Sequence, residues 1–109
     1  MLHHGDILLD LEKRILYVRD RAVDLTHHEY KLLEALMRAP GKAFTRDELL
    51  DSIYPMGEAL VIDRVVDVHV GKLRKKIESN PAEPDYILTV RGIGYRFVEK
   101  KPFTPGISK

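Results

Sequence analysis

Between Asp63 and Ser79 the chain reads D-R-V-V-D-V-H-V-G-K-L-R-K-K-I-E-S, and its cations fall in a pattern. Arg64, Val68, Gly71 and Lys75 share one side at helical spacing, with Lys72 beside them. Val66, Val70, Leu73 and Ile77 recur on the opposite side at i, i+4, i+7 and i+11. The spacing predicts a helix about 25 Å long at 1.5 Å per residue, anchored along one stripe and positive along the other. The chemistry open to such a face is polyanion binding. Lysine reaches guanine O6 and N7 as a point charge, and an exposed valine such as Val68 can meet a thymine methyl. Gly71 costs roughly 1 kcal/mol of helix propensity against alanine, so something other than helix stability asks for it, such as close approach to a surface. Arg74 lies on the flank, where an intramolecular ion pair competes with a phosphate contact. A plain solvated basic face fits this stretch equally well when it is taken alone.

A second cationic cluster follows. Arg91 sits at the tip of Arg91-Gly92-Ile93-Gly94, with little to pack against, and Arg96, Lys100 and Lys101 extend the charge. The histidines offer less. His3-His4 and His27-His28 are adjacent pairs that project divergently and chelate poorly, and Asp67 and His69 at i and i+2 do not share a helix face. No metal site or other cofactor is expected, and His69, near the buried stripe, is expected to be a hydrogen-bonded, half-buried residue. The chain has no G-x-S-x-G, no phosphate-binding glycine loop, no Cys-His pair and no room for a second lobe around a cleft, so an enzyme is not expected.

Size and composition fit one small soluble domain with a single core: 109 residues, 44% apolar and 32% charged. Without cysteine there are no disulfides or thiolate metal sites, which is compatible with a reducing compartment. No apolar run approaches the roughly 18 residues that span a bilayer, and the start lacks the basic and apolar regions of a secretory leader. A cytoplasmic protein with no membrane partner is expected. The net charge is only +1, yet it is polarised: residues 1–60 hold 8 Lys and Arg against 11 Asp and Glu, and residues 61–109 hold 10 against 6. Such a chain can present one basic face while staying near neutral overall.

The elements that must position these cations are legible in turn. Gly5 to Leu11, Arg14 to Arg19 and Ala22 to Leu25 read as three short strands joined by hairpin-length turns, hence an antiparallel meander. Thr26-His27-His28-Glu29 and Thr45-Arg46-Asp47-Glu48 are capping boxes. The first opens a helix with a Tyr30, Leu33, Leu36 and Met37 stripe that stops near Pro40-Gly41. The second opens a shorter one with Leu49, Leu50 and Ile53, ended by Pro55 and Gly57. After the long third helix, Tyr86 to Val90 and Tyr95 to Glu99 form a glycine-turned hairpin. Strands, helix, helix, loop, helix and hairpin make an α+β winged helix-turn-helix over residues 1–101, with 102–109 a disordered tail. In that arrangement the third helix can lie in a major groove while the hairpin reaches the adjacent minor groove.

Specific residues then resemble the effector domains of OmpR/PhoB-family response regulators. Leu25-Thr26-x-x-Glu29-Tyr30-x-Leu32-Leu33 resembles the first helix, and Arg46-x-x-Leu49-Leu50 the second. Asp67-Val68-His69-Val70-x-x-Leu73-Arg74-x-Lys76-Ile77 resembles the recognition helix. Ile87-x-Thr89-Val90-Arg91-Gly92-x-Gly94-Tyr95-Arg96-Phe97 resembles the wing and is the most specific of the four. The resemblance implies a four-stranded N-terminal sheet, a three-helix core and a C-terminal hairpin wing. It implies two-component regulation of transcription, by binding of direct-repeat double-stranded DNA as a head-to-tail dimer of a domain that is monomeric in isolation. It also implies that Arg64, Val68, Lys72 and Arg74 face DNA from the helix, joined on the same face by Gly71 and Lys75. From the wing, Thr89, Arg91 and Tyr95 would do so, with Arg96 beside them and Arg91 as the minor-groove residue. The loop of Tyr54, Pro55, Met56, Gly57 and Glu58 would correspond to one that touches RNA polymerase in some relatives.

Three departures stand out. Gly71 replaces an arginine of some relatives, and Tyr54 stands where tryptophan is common. The receiver domain usual in the family is absent from these residues, so a fragment is expected rather than a stand-alone regulator. The alternative from another class is a winged-helix module that binds a protein through the same surface.

Overall fold

The computed structural model describes residues 1–54 and 64–99. Leu2–His4 (β1), Ile7–Asp10 (β2), Ile15–Val18 (β3) and Arg21–Val23 (β4) form an antiparallel meander in that order. Its register lines up Leu2, Leu9, Leu16 and Val23 across the sheet, with Ile7 opposite Val18. Ile7, Leu9, Leu16 and Val18 are buried: in β3 Leu16 and Val18 face the core while Ile15 and Tyr17 remain half-exposed. Two turns need special backbone. Asp10 Oδ1 accepts the amides of Glu12 and Lys13 at 3.0 Å each, and Arg19 and Asp20 take left-handed φ of 49° and 67°. The local pattern suggested three strands. The fourth, β1, is the one that the family resemblance added.

His27–Arg38 (α1) and Arg46–Ile53 (α2) start where the capping boxes place them. Thr26 Oγ1 accepts the Glu29 amide at 3.2 Å while Glu29 Oε1 accepts the Thr26 amide at 3.0 Å. Thr45 and Glu48 repeat the exchange at 3.0 and 2.8 Å. Each box satisfies amides that would otherwise end the helix unpaired. Phe44–Thr45 (β5), a two-residue strand ahead of α2, was not foreseen. Arg64–Ile77 (α3) buries all four stripe residues, Val66, Val70, Leu73 and Ile77, completely. Each such side chain contributes about 1.5–3 kcal/mol of transfer free energy, enough to fix which face of α3 looks outward.

Ile87–Val90 (β6) and Gly94–Phe97 (β7) form the hairpin, and β7 also pairs with β5, giving the order β5-β7-β6. Gly94 opens β7, and a Cβ there would stand 2.2 Å from the Phe44 carbonyl oxygen, so only glycine allows β5 and β7 to approach. The tip turns at Gly92 with φ 77°. Buried carboxylates tie the C-terminal end of α3 to its neighbours. Glu29 accepts Lys76 Nζ at 2.6 Å, and Lys76 also donates to the Asp24 carbonyl at 2.8 Å. Burial pushes the Glu29 carboxyl up, but Lys76 and the Thr26 amide outweigh that and hold it below its ordinary value. Glu78 accepts the amides of Asp85, Tyr86 and Ile87 at 2.7–3.1 Å, which sets where the wing begins. The architecture is the expected α+β winged helix-turn-helix. The expected tail, 102–109, and the segment Pro55 to Glu58 lie outside the described residues.

Candidate nucleic-acid interface

With its stripe buried, α3 presents Val68, Gly71, Lys72 and Lys75 outward. Val68 is 52% exposed, and a Cβ at Gly71 would meet no protein atom within 4 Å. The glycine is therefore not required by packing against the described residues. Lys72 and Lys75 form no hydrogen bond or ion pair among the described residues, leaving their charges available. Arg64 opens the helix. At the hairpin tip Arg91 is exposed, while Arg96 is half-buried on β7 opposite Leu88. Beside Arg91, Ile93 is 44% exposed, an apolar tip residue that sequence reasoning missed. Its signal was present, since a large side chain between two turn glycines has nothing local to cover it.

Two expected contact residues turn inward. Arg74 donates to the Ile87 carbonyl from Nε at 3.1 Å and from Nη2 at 2.8 Å, and Nη2 also donates to Thr89 Oγ1 at 2.9 Å. This guanidinium is engaged by the first wing strand, because flank position and reach let it satisfy a strand carbonyl. Thr89 stays exposed but its hydroxyl accepts that bond. Tyr95 is only 6% exposed. Its hydroxyl donates to Asp67 Oδ1 at 2.6 Å, and burial followed by Asp67 pushes the phenol up. Asp67 Oδ1 also accepts Arg46 Nε at 2.9 Å, which raises the guanidinium of Arg46. Guanidinium groups of Arg46 and Arg74 lie 5.7 and 5.4 Å from the Tyr95 ring centroid, within cation–π range. Nothing local in the sequence joins Arg46, Asp67 and Tyr95, which are 21 and 28 residues apart.

His69 corrects another expectation. Among the described residues both ring nitrogens are buried without a hydrogen-bond partner, and the imidazole packs edgewise on His28, centroids 5.5 Å apart. Burial, then His28, lowers its pKa. Tyr54 caps α2 and packs its ring at a 55° tilt against His28, centroids 4.6 Å apart, half-buried. The other residues of that expected contact loop, Pro55, Met56, Gly57 and Glu58, are outside the described residues. Among the described residues there is no group of three or more potential metal ligands, and no helix is long and apolar enough to cross a membrane.

A family model described as "Transcriptional regulatory protein, C terminal" matches residues 20–97. The phosphate regulon transcriptional regulatory protein PhoB of Rhizobium meliloti is 47% identical over 96 residues, covering 87% of this chain and 41% of that protein. Among solved structures, the response regulator DrrB of Thermotoga maritima, an OmpR/PhoB homolog, superposes with a TM-score of 0.81 at 33% identity, covering 88% of this chain and 43% of that one. The Klebsiella pneumoniae RstA DNA-binding domain, in complex with the RstA box, gives 0.77 at 32%, covering 89% and 95%. The chain spans less than half the length of the curated relatives it matches.

Proposed function

Since this chain belongs to the family of C-terminal DNA-binding domains of OmpR/PhoB-type transcriptional regulators, we propose that it binds double-stranded DNA sequence-specifically, with α3 in the major groove and the hairpin at the minor groove. The observation that carries this reading is the common exposure of Lys72, Lys75 and Arg91, with no hydrogen bond or ion pair among the described residues, around an open patch at Val68 and Gly71. The major groove, about 12 Å wide, admits one α-helix. Lys72 reads guanine edges, Val68 meets a thymine methyl, and the bare backbone at Gly71 allows close approach. Arg64 and Lys75 neutralise phosphates along the helix. Arg91 enters the minor groove, where narrow A·T-rich steps concentrate negative potential. Thr89 and Arg96 flank it.

The same reading makes the chain the effector end of a two-component response regulator, whose receiver domain would receive the phosphoryl signal in the longer protein. The domain is a monomer alone and pairs head to tail on direct repeats. The loop that begins at Tyr54 would contact RNA polymerase.

Duplexes selected from a random pool by the chain provide the test. Lys72→Ala should cost about 1–3 kcal/mol on the selected site and relax base choice at one or two positions. Arg91→Ala should cost affinity chiefly where the flanks are A·T-rich. Five cations (Arg64, Lys72, Lys75, Arg91 and Arg96) give a log–log salt slope of about −4 to −5 at roughly 0.9 per phosphate. A slope near zero, with neither substitution having any effect, would refute DNA binding and favour a protein partner for the exposed Val68 and Ile93.

A further inference from the structure

An acidic residue one position before the exposed Val68 is out of place on a surface meant for phosphates. Asp67 is 40% exposed at its side chain, yet Oδ1 holds two groups from two other elements. Arg46 reaches it from the start of α2 at 2.9 Å, and the Tyr95 hydroxyl reaches it from β7 at 2.6 Å. One carboxylate oxygen thus joins α2, α3 and the wing. Seven residues further along α3, about 10 Å by the helix rise, Arg74 holds the other wing strand through the Ile87 carbonyl and the Thr89 hydroxyl. Thr89 and Tyr95 are cross-strand partners. Both strands are therefore clamped to α3 at the same rung, and Arg91 stands two residues beyond it, about 7 Å along the strand.

The geometry points to Asp67 as a positioning residue that fixes the wing against the recognition helix, so that base contacts in one groove and minor-groove contacts in the next are made together. This rests on the DNA-binding reading above. A charge-assisted bond from Arg46 and a short O–H···O⁻ bond from Tyr95 are the strong kinds of hydrogen bond, and they meet on a single acceptor. Holding the wing in place before binding removes the ordering cost of its contact. The carboxylate also repels phosphate. Its removal should therefore raise indiscriminate binding while it weakens the linkage, and a simple loss of stability would not do this.

The experiment is a double-mutant cycle on the duplex selected by the unaltered chain and on a random duplex, at fixed salt. In the unaltered chain Arg91→Ala should weaken the selected duplex about tenfold. In the Asp67→Ala background the same change should weaken it less than about threefold, because an unclamped wing contributes little. The effect of Lys72→Ala should be the same in both backgrounds. Asp67→Ala should hold or raise affinity for the random duplex, so the ratio of selected to random binding narrows about fivefold or more. Tyr95→Phe keeps the ring and removes only the hydroxyl, and it should reproduce the narrowing in a protein that melts near the parent. Without DNA, amide order parameters at Gly92 and Ile93 should fall in Asp67→Ala while those of α3 stay put. Equal Arg91→Ala losses in both backgrounds, with an unchanged wing, would overturn the positioning role and leave DNA binding intact. Absence of any Lys72→Ala or Arg91→Ala effect in the unaltered chain would overturn both readings.

Discussion

His69→Leu should stabilise this domain, and more so in acid. A neutral imidazole has one N–H donor and one acceptor, and both nitrogens of His69 are buried without partners among the described residues. Each buried, unmade hydrogen bond costs about 1–3 kcal/mol. Leucine removes both polar atoms at similar volume, and shape mismatch should return no more than about 1.5 kcal/mol. A net gain of about 0.5–4.5 kcal/mol at pH 7.5 follows, or a Tm at least about 2 °C higher for a chain of this size. Burial, then His28 and Lys72, disfavour the imidazolium, and Glu29 opposes them with less weight. The folded-state pKa is thus depressed, while the unfolded chain takes up its proton near pH 6.5. Below that pH the unfolded state binds more protons, so the parent's stability is full above about 6.5 and falls as pH drops. At pH 5.5 the ceiling on that loss is about 1.4 kcal/mol. His4, also depressed by burial and by His3, shifts the same way but is common to both proteins and cancels. Urea unfolding of parent and variant at pH 7.5 and 5.5 measures both quantities. A variant less stable than the parent at pH 7.5, or a gap that does not widen in acid, would refute the reasoning.

Gly71→Ala should raise stability by about 0.8–1 kcal/mol through helix propensity alone, since its Cβ meets open space. If the same variant binds its selected duplex more weakly in a fluorescence titration, the glycine serves close approach; unchanged binding would remove that role. Glu78→Gln should cost about 2–3 kcal/mol in thermal or urea unfolding. One of the two oxygens that accept the amides of Asp85, Tyr86 and Ile87 becomes a donor facing donors. A loss under 0.5 kcal/mol would show that the start of the wing is held by other contacts.

The helices were legible because their signals are local. Thr26 with Glu29 and Thr45 with Glu48 lie three residues apart, and each box declares its own helix. The buried stripe of α3 is a matter of period, and its four members are all fully buried. Strands β1 and β5 were not readable from local pattern. Three and two residues long, they exist through partners elsewhere in the chain, β1 on β2 and β5 on Gly94 and Tyr95 of β7. The candidate site divides on the same principle. Outward residues such as Val68, Gly71 and Lys72 follow from the buried face by geometry. Arg74 and Tyr95 do not, because their partners stand 13 to 28 residues away and a side chain's reach is not written in its spacing. His69 was placed correctly beside the stripe, but its surroundings depend on what α1 brings against it, the ring of His28.

That inward turning changes how the charge of α3 should be counted. By sequence the helix carries Arg64, Lys72, Arg74, Lys75 and Lys76 against Asp67, a strongly cationic segment. In the fold Lys76 neutralises Glu29, Arg74 serves strand carbonyl and hydroxyl, and Asp67 is balanced by Arg46. Lys72 and Lys75 remain outward, with Arg91 at the tip. Sequence-independent affinity for DNA grows with the number of phosphates neutralised, so a face with few free cations gains little from random duplex. Discrimination depends instead on base-edge and groove-shape contacts held in a fixed relation. The cations withdrawn from the surface are among those that hold α3 and the wing in that relation. On the DNA-binding reading, then, Arg74 and Arg46 lower the non-specific background and stiffen the specific contact at once. A domain of net charge +1 can be selective for that reason.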